Sequence, residues 1–250
     1  MLIYFYLLLM EAINLVNVTH RIGNRLILSN ISIGFAERKV TAIIGKSGSG
    51  KSTLLKTING LVKPAQGQIS LFESLIDYTN LPFHRKKIGY AVQGIGLFPH
   101  MTVEENILLP SKAHLKNADG RKRLAELINL VSLPDHIYKK YPTELSGGEQ
   151  QRVGICRALF LDPPILLMDE PFGSLDPLTR YEIHGEFIRL QQKSPRTTLL
   201  VTHDMREAKK LADDILVIDN GMIQQFGPSK EIFEHPATDV VRELLMIAEA

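Results

Sequence analysis

The chain has 250 residues, enough for one large domain or two modest ones with a buried core, and its 44% hydrophobic and 22% charged content is that of an ordinary globular protein. A formal net charge of +2 leaves no dominant basic surface; the runs at 84–87 and 121–123 read as solvated faces, which argues against nucleic acid as a partner. One cysteine, Cys156, excludes an internal disulfide, and eight scattered histidines show no zinc-site spacing.

Residues 1–10 are uncharged and almost wholly apolar. That run is too short for a spanning helix, which needs roughly 20 such residues. It also lacks the positive start and small-residue cleavage site of a signal peptide. The expectation is that translation begins at Met10 and that the residues before it are a non-native extension. No other segment reads as a membrane span, so the chain is expected to work outside the lipid.

Residues 13–35 alternate loosely around Gly23 and Asn24, which predicts antiparallel strands joined by a turn. Residues 40–44 are short, apolar and β-branched, the pattern of a buried strand. Gly45-Lys46-Ser47-Gly48-Ser49-Gly50-Lys51-Ser52-Thr53 follows at once, and Leu54, Leu55, Ile58 and Leu61 then recur at helical spacing up to a stop at Gly60. Strand, glycine-rich loop and helix together match a phosphate-binding loop. Its glycines let backbone N–H groups turn toward phosphates, the helix adds its positive end, Lys51 supplies a point charge, and the Ser52 hydroxyl suits Mg²⁺.

Further buried strands are expected at 88–92, 165–168, 198–201 and 215–218, each followed by polar or glycine-bearing residues. Their alternation with helical patterns predicts an α/β fold with a mostly parallel sheet. Strand signals vanish between Phe98 and Phe160, where Leu124, Leu127, Ile128 and Val131 show helical spacing. The reading is one domain over 1–250: a nucleotide-binding core with a β subdomain at 11–96 and 161–250, and a helical subdomain inserted at 97–160.

Ligands of open parallel sheets sit outside the carboxyl ends of the strands. Four polar groups fall there: Gln93, Asp169, Glu170 and His203. Asp169 would hold Mg²⁺ through water, Glu170 would orient and deprotonate an attacking water, Gln93 would offer an amide oxygen to metal or water, and His203 would sense the terminal phosphate. Leu145-Ser146-Gly147-Gly148-Glu149-Gln150-Gln151-Arg152 places a serine and two glycines at a helix start, a second anion-binding surface. One nucleotide does not need two such surfaces from one chain, whereas a head-to-tail pair of chains would use both. Cys156 reads as a buried small hydrophobe.

These segments, in this order, resemble the ATP-binding cassette family from about Glu11 onward. Gly45 to Ser52 looks like the Walker A motif, Gln93 like the Q-loop, Leu145 to Arg152 like the signature, and residues 165–170 like Walker B with its catalytic glutamate. Ser174-Leu175-Asp176 looks like the D-loop and His203 like the switch histidine. The resemblance implies a P-loop NTPase core, ATP hydrolysis with Mg²⁺, and a homodimer in which each signature closes on the other copy's nucleotide. It also implies integral-membrane permease subunits as partners, contacted near 93–101, a substrate-binding protein acting indirectly, and a peripheral place on the cytoplasmic face of the membrane. One position departs from the family: an aromatic usually stacks on adenine roughly two dozen residues before Walker A, and here that position is Ile22, with His20 nearby as a substitute.

A finer resemblance, carried by Lys87-Ile88-Gly89-Tyr90, residues 96–102, residues 169–179 and residues 203–208, points to the ATPases of glycine betaine, choline and carnitine uptake. Many of those carry a regulatory tail; a chain ending at Ala250 is expected to lack it. The alternatives are an ATPase for another solute or lipid, and a non-transport ABC ATPase of translation or DNA repair. The second is disfavoured by the single cassette without a long heptad insertion.

Overall fold

The structure is a computed structural model that describes residues 10–92, 96–110, 117–173 and 175–249. The expected extension at 1–9, Gln93 and Ser174 therefore lie outside the described residues. The chain divides into two compact units, residues 1–85 with 196–250, and residues 86–195.

In the first unit, β1 (Glu11–Ile22) and β2 (Arg25–Ala36) form a long antiparallel hairpin closed at Gly23-Asn24. β3 (Val40–Ile44) has all five residues buried and runs into α1 (Lys51–Ile58), which ends at Asn59 before Gly60 with φ +67°. β4 (Gln66–Leu71) and β5 (Ser74–Leu75) follow, giving a four-stranded sheet of order β2-β1-β4-β5, and α2 (Leu81–Arg85) closes the segment. Asn17 and Asn30 take left-handed backbone, and the β1–β2 register shifts between Leu15 and Val18. Asparagine tolerates that conformation better than most residues, so the long hairpin bends there.

The second unit starts at β6 (Ile88–Ala91) and continues through α3 (Val103–Leu108), α4 (Asn117–Leu130), two short 3-10 turns and α5 (Gly147–Leu159). β7 (Ile165–Asp169), fully buried, lies parallel to β6, and α6 (Pro177–Lys193) follows. Leu130, Ile155, Met168, Phe172 and Ile183 from these elements converge on one apolar core. Cys156 is fully buried, and its thiol donates to the Leu127 carbonyl at 3.3 Å.

The chain then returns to the first unit with β8 (Thr197–Val201), α7 (Met205–Leu211), β9 (Asp214–Asp219), β10 (Met222–Pro228), α8 (Ser229–Glu234) and α9 (Asp239–Glu249). β3 lies between β8 and β9, parallel to both, and β10 pairs antiparallel to β9. Ala42 and Ile44 of β3 pack in one apolar cluster with Ala208, Val217, Ile232 and Val241. β3 is thus held on both flanks and from α7, α8 and α9. Strands buried on both faces read as continuous apolar runs, which is why β3 and β8 carry only hydrophobic residues and threonine and β7 is apolar up to its last residue, Asp169.

Candidate functional site

β3 delivers the glycine-rich loop at its carboxyl end, and the loop turns straight into α1. Gly50 sits at φ +107°, and a Cβ there would stand 2.8 Å from the Ile27 carbonyl oxygen. Only glycine meets both demands. A Cβ on Gly45 would collide with the Ile218 carbonyl, so the loop's first residue is pinned against β9. The turn between β9 and β10 braces the loop further: Gly221 N–H donates to the Ser49 carbonyl at 3.0 Å, and the Gly221 carbonyl accepts from Ser29 N–H at 2.9 Å.

Within that cradle Lys51 is buried, and its ammonium donates to the carbonyls of Gly45 at 2.8 Å and Lys46 at 3.0 Å. Ser49 is 3% exposed, and its hydroxyl has no hydrogen-bond partner among the described residues. Burying an unmade hydrogen bond costs about 1–3 kcal/mol, a cost a phosphate oxygen in the loop would remove. α1 has no acidic residue in its first turn and no side-chain cap at Gly50, so no carboxylate of that turn offsets its positive N-terminal end. Ser52 and Thr53 lie half-buried on that turn. These features fit a phosphate group. Lys46 instead forms an ion pair with Glu243 of α9 at 3.0 Å, and Glu243 holds its ammonium above the usual lysine range. Ser47 is exposed.

β8 pairs with β3 in register, Val201 opposite Ile43, so Thr202 and His203 leave the sheet at the same edge as the loop. Thr202 N–H donates to the Ile43 carbonyl at 3.2 Å, and its hydroxyl donates to Glu207 at 2.9 Å. His203 is exposed. Asp204 caps α7 by accepting from Arg206 N–H at 2.8 Å and Glu207 N–H at 3.3 Å. Ile22, at the tip of the β1–β2 hairpin, is 63% exposed.

The second unit brings together the other expected residues. Asp169 ends β7 at 2% exposure, and Glu170 follows with φ +49°, left-handed backbone that is strained for a non-glycine residue. The Glu170 carbonyl accepts from the Gln151 side-chain amide at 3.3 Å. This bond ties the strand exit to α5. Burial, and then the neighbouring Asp169, push the Tyr90 phenol above its usual range.

Ser146 caps α5 in a reciprocal box: its hydroxyl accepts from Glu149 N–H at 3.2 Å, and Glu149 accepts from Ser146 N–H at 2.7 Å. Burial raises the Glu149 carboxyl, but the hydrogen bonds from Ser146 outweigh it and hold the group below the usual range. A Cβ on Gly148 would touch Leu175 at 3.0 Å, whereas one on Gly147 would meet nothing within 4 Å. Asp176 caps α6 by accepting from Thr179 N–H at 3.0 Å. Hydrogen bonds from the Thr179 hydroxyl and N–H keep its carboxyl below the usual range.

Two functional contacts escaped the sequence reading: the Gly221 brace and the Gln151 tie. The Asn220-Gly221 pair is a turn signal that marks the first; the second lies inside the quoted signature and has no local pattern of its own. Among the described residues no group of three or more His, Cys, Asp or Glu could hold a metal, and no helix is long and apolar enough to cross a membrane.

The profile described as ABC transporter matches residues 28–173. The chain is 43% identical over 89% of its length to the choline transport ATP-binding protein OpuBA of Bacillus subtilis, covering 59% of that protein. It is 41% identical over 91% of its length to the glycine betaine uptake system ATP-binding protein YehX of Escherichia coli, covering 74% of it. Against a sulfate/thiosulfate import ATP-binding protein CysA of Synechocystis it is 40% identical over 90%, covering 63%. The chain thus spans 56–59% of the length of OpuBA and the OpuCA proteins it matches. The solved dimeric structure of MJ0796, a bacterial ABC transporter cassette, superposes with TM-score 0.81 at 33% identity, covering 87% of this chain and 98% of that one. MJ0796 has also been solved as a dimer in a post-hydrolysis state bound to ADP and Pi, with TM-score 0.81 at 32% identity and the same coverages. With a phosphate-loop cradle at 45–53 and a profile match over more than half its residues, the chain belongs to the ABC transporter family.

Proposed function

We propose that the chain is the ATP-hydrolysing subunit of an ABC importer that takes up a quaternary-amine osmoprotectant such as glycine betaine, choline or carnitine. The observation that carries this is the cradle at 45–53, with its orphaned Ser49 hydroxyl and buried Lys51, in a chain 43% identical to choline and glycine betaine/carnitine/choline ATP-binding proteins.

In this reading Gly45 to Ser49 and Lys51 hold the β and γ phosphates, with the adenine resting against Ile22. Ser52, Asp169 and Gln93 would hold Mg²⁺, which neutralises charge on the transferring phosphate. Glu170 orients the attacking water and takes its proton. His203 stabilises the terminal phosphate. Ser146, Gly147, Gly148 and Glu149 of a second copy close over that phosphate, with Asp176 beside the junction. Binding and loss of the terminal phosphate then bias the dimer between closed and open states. Surfaces near residues 93–101 would carry that motion to permease subunits on the cytoplasmic face of the membrane, and a substrate-binding protein would deliver solute from the other side. The dimeric MJ0796 structures support the two-copy arrangement.

The test is uptake. Deleting the gene from its host should abolish high-affinity uptake of at least one of labelled glycine betaine, choline and carnitine, with Lys51→Ala failing to restore it. A second reading, sulfate or thiosulfate import, is favoured by the 40% identity to CysA. Loss of labelled sulfate uptake with all three amines unaffected would replace the first reading by the second.

A further inference from the structure

Arg25 opens β2 directly opposite Ile22, at the tip of the hairpin that packs on the phosphate loop. Its guanidinium reaches back to that loop: Nη2 lies 3.8 Å from where a Cβ on Gly48 would stand. The hairpin cannot drift from this position freely. Ile27, two residues on, has its carbonyl against Gly50, and Ser29 N–H holds the Gly221 turn that braces Ser49.

The local electrostatics of this placement are unfavourable as they stand. The Arg25 guanidinium makes no hydrogen bond or ion pair among the described residues. The other cations of the loop are occupied: Lys46 by Glu243, and Lys51 by the carbonyls of Gly45 and Lys46. A guanidinium thus stands beside a loop whose helix end is positive. An anion seated in the loop reverses the sign of that contact. Guanidinium is also the side chain whose flat fork pairs two phosphate oxygens at once.

We propose that Arg25 pairs with the polyphosphate of the bound nucleotide from the hairpin side, supplying affinity at the edge of the site where Ile22 offers no aromatic ring. The proposal rests on the reading of residues 45–53 as the ATP phosphate site and adds a residue outside every motif of that site.

The test is equilibrium binding to the purified chain, followed by calorimetry with ATP and by displacement of a fluorescent nucleotide with inorganic pyrophosphate or adenosine. Wild-type binding that is lost in Lys51→Ala establishes the phosphate site independently of Arg25. Arg25→Gln, whose exposed position should leave the melting temperature unchanged, is expected to weaken both ATP and pyrophosphate by about tenfold. It should leave displacement by adenosine as in the wild type, and Arg25→Lys should recover part of the loss. Unchanged ATP and pyrophosphate affinities in a folded Arg25→Gln overturn the proposal. So does a loss confined to ATP with pyrophosphate unaffected, which would place the contact on the base.

Discussion

Stacking of an aromatic ring on a base is worth on the order of 1 kcal/mol, and Ile22, proposed to lie against the adenine, would forgo it at a 63% exposed position. An isoleucine offers apolar contact that does not distinguish one purine from another. The wild-type chain is therefore expected to bind ATP and GTP with dissociation constants within a few-fold of each other. Ile22→Tyr should tighten ATP by about two- to tenfold, read by displacement of a fluorescent nucleotide; an unchanged ATP affinity would take the base away from Ile22. At this scale residue identity was legible and conformation was not. The carboxylate at 170 can be placed at a strand exit by counting, but its left-handed φ and the Gln151 side chain on its carbonyl are tertiary facts. The same holds for Arg25, whose importance comes from the fold bringing a hairpin tip to Gly48.

Among elements, α7 gives the clearest separation of local from tertiary stability. Asp204 accepts from two N–H groups at the helix start and lies beside Arg206; burial opposes ionisation, yet these contacts leave its carboxyl below the usual range. A carboxyl depressed in the folded state stabilises above its unfolded pKa, and that contribution is lost as pH falls through the folded value. Asp204→Ala should cost about 1 kcal/mol at neutral pH, a drop in melting temperature of about 2–4 °C. The difference from wild type should shrink below about pH 4. Thermal melts followed by circular dichroism at pH 7 and pH 3.5 check both; an equal gap at the two values would mean that the carboxylate's charge plays no part. The elements that sequence made plain share one physical property. β3, β7 and β8 are buried along their whole length, so apolarity alone marks them. β4 begins Gln66-Gly67-Gln68 with all three exposed, and β10 carries Gln224 and Gln225 mid-strand. Residues of such strands that face solvent leave little hydrophobic signal.

For the molecule as a whole, the proposed second copy can be tested at a glycine with open space around it. Gly147 opens α5, and a Cβ there would meet nothing within 4 Å among the described residues. The Ser146 hydroxyl beside it accepts from Glu149 N–H and so keeps its own proton for another acceptor. Both facts fit a phosphate seated in a partner's loop. Glu170→Gln should remove the proposed base without disturbing that contact, binding ATP, eluting as a dimer and slowing hydrolysis by about 100-fold or more. Adding Gly147→Asp sets a carboxylate against the expected phosphate. The double variant should keep the fold and the ATP affinity of each loop but elute as a monomer. Light scattering on the eluting peak, with ATP present and over a dilution series, decides between the two. If Gly147→Asp leaves the ATP-dependent dimer of Glu170→Gln intact, the open space at Gly147 does not face a partner's nucleotide, and the signature segment must act within its own chain.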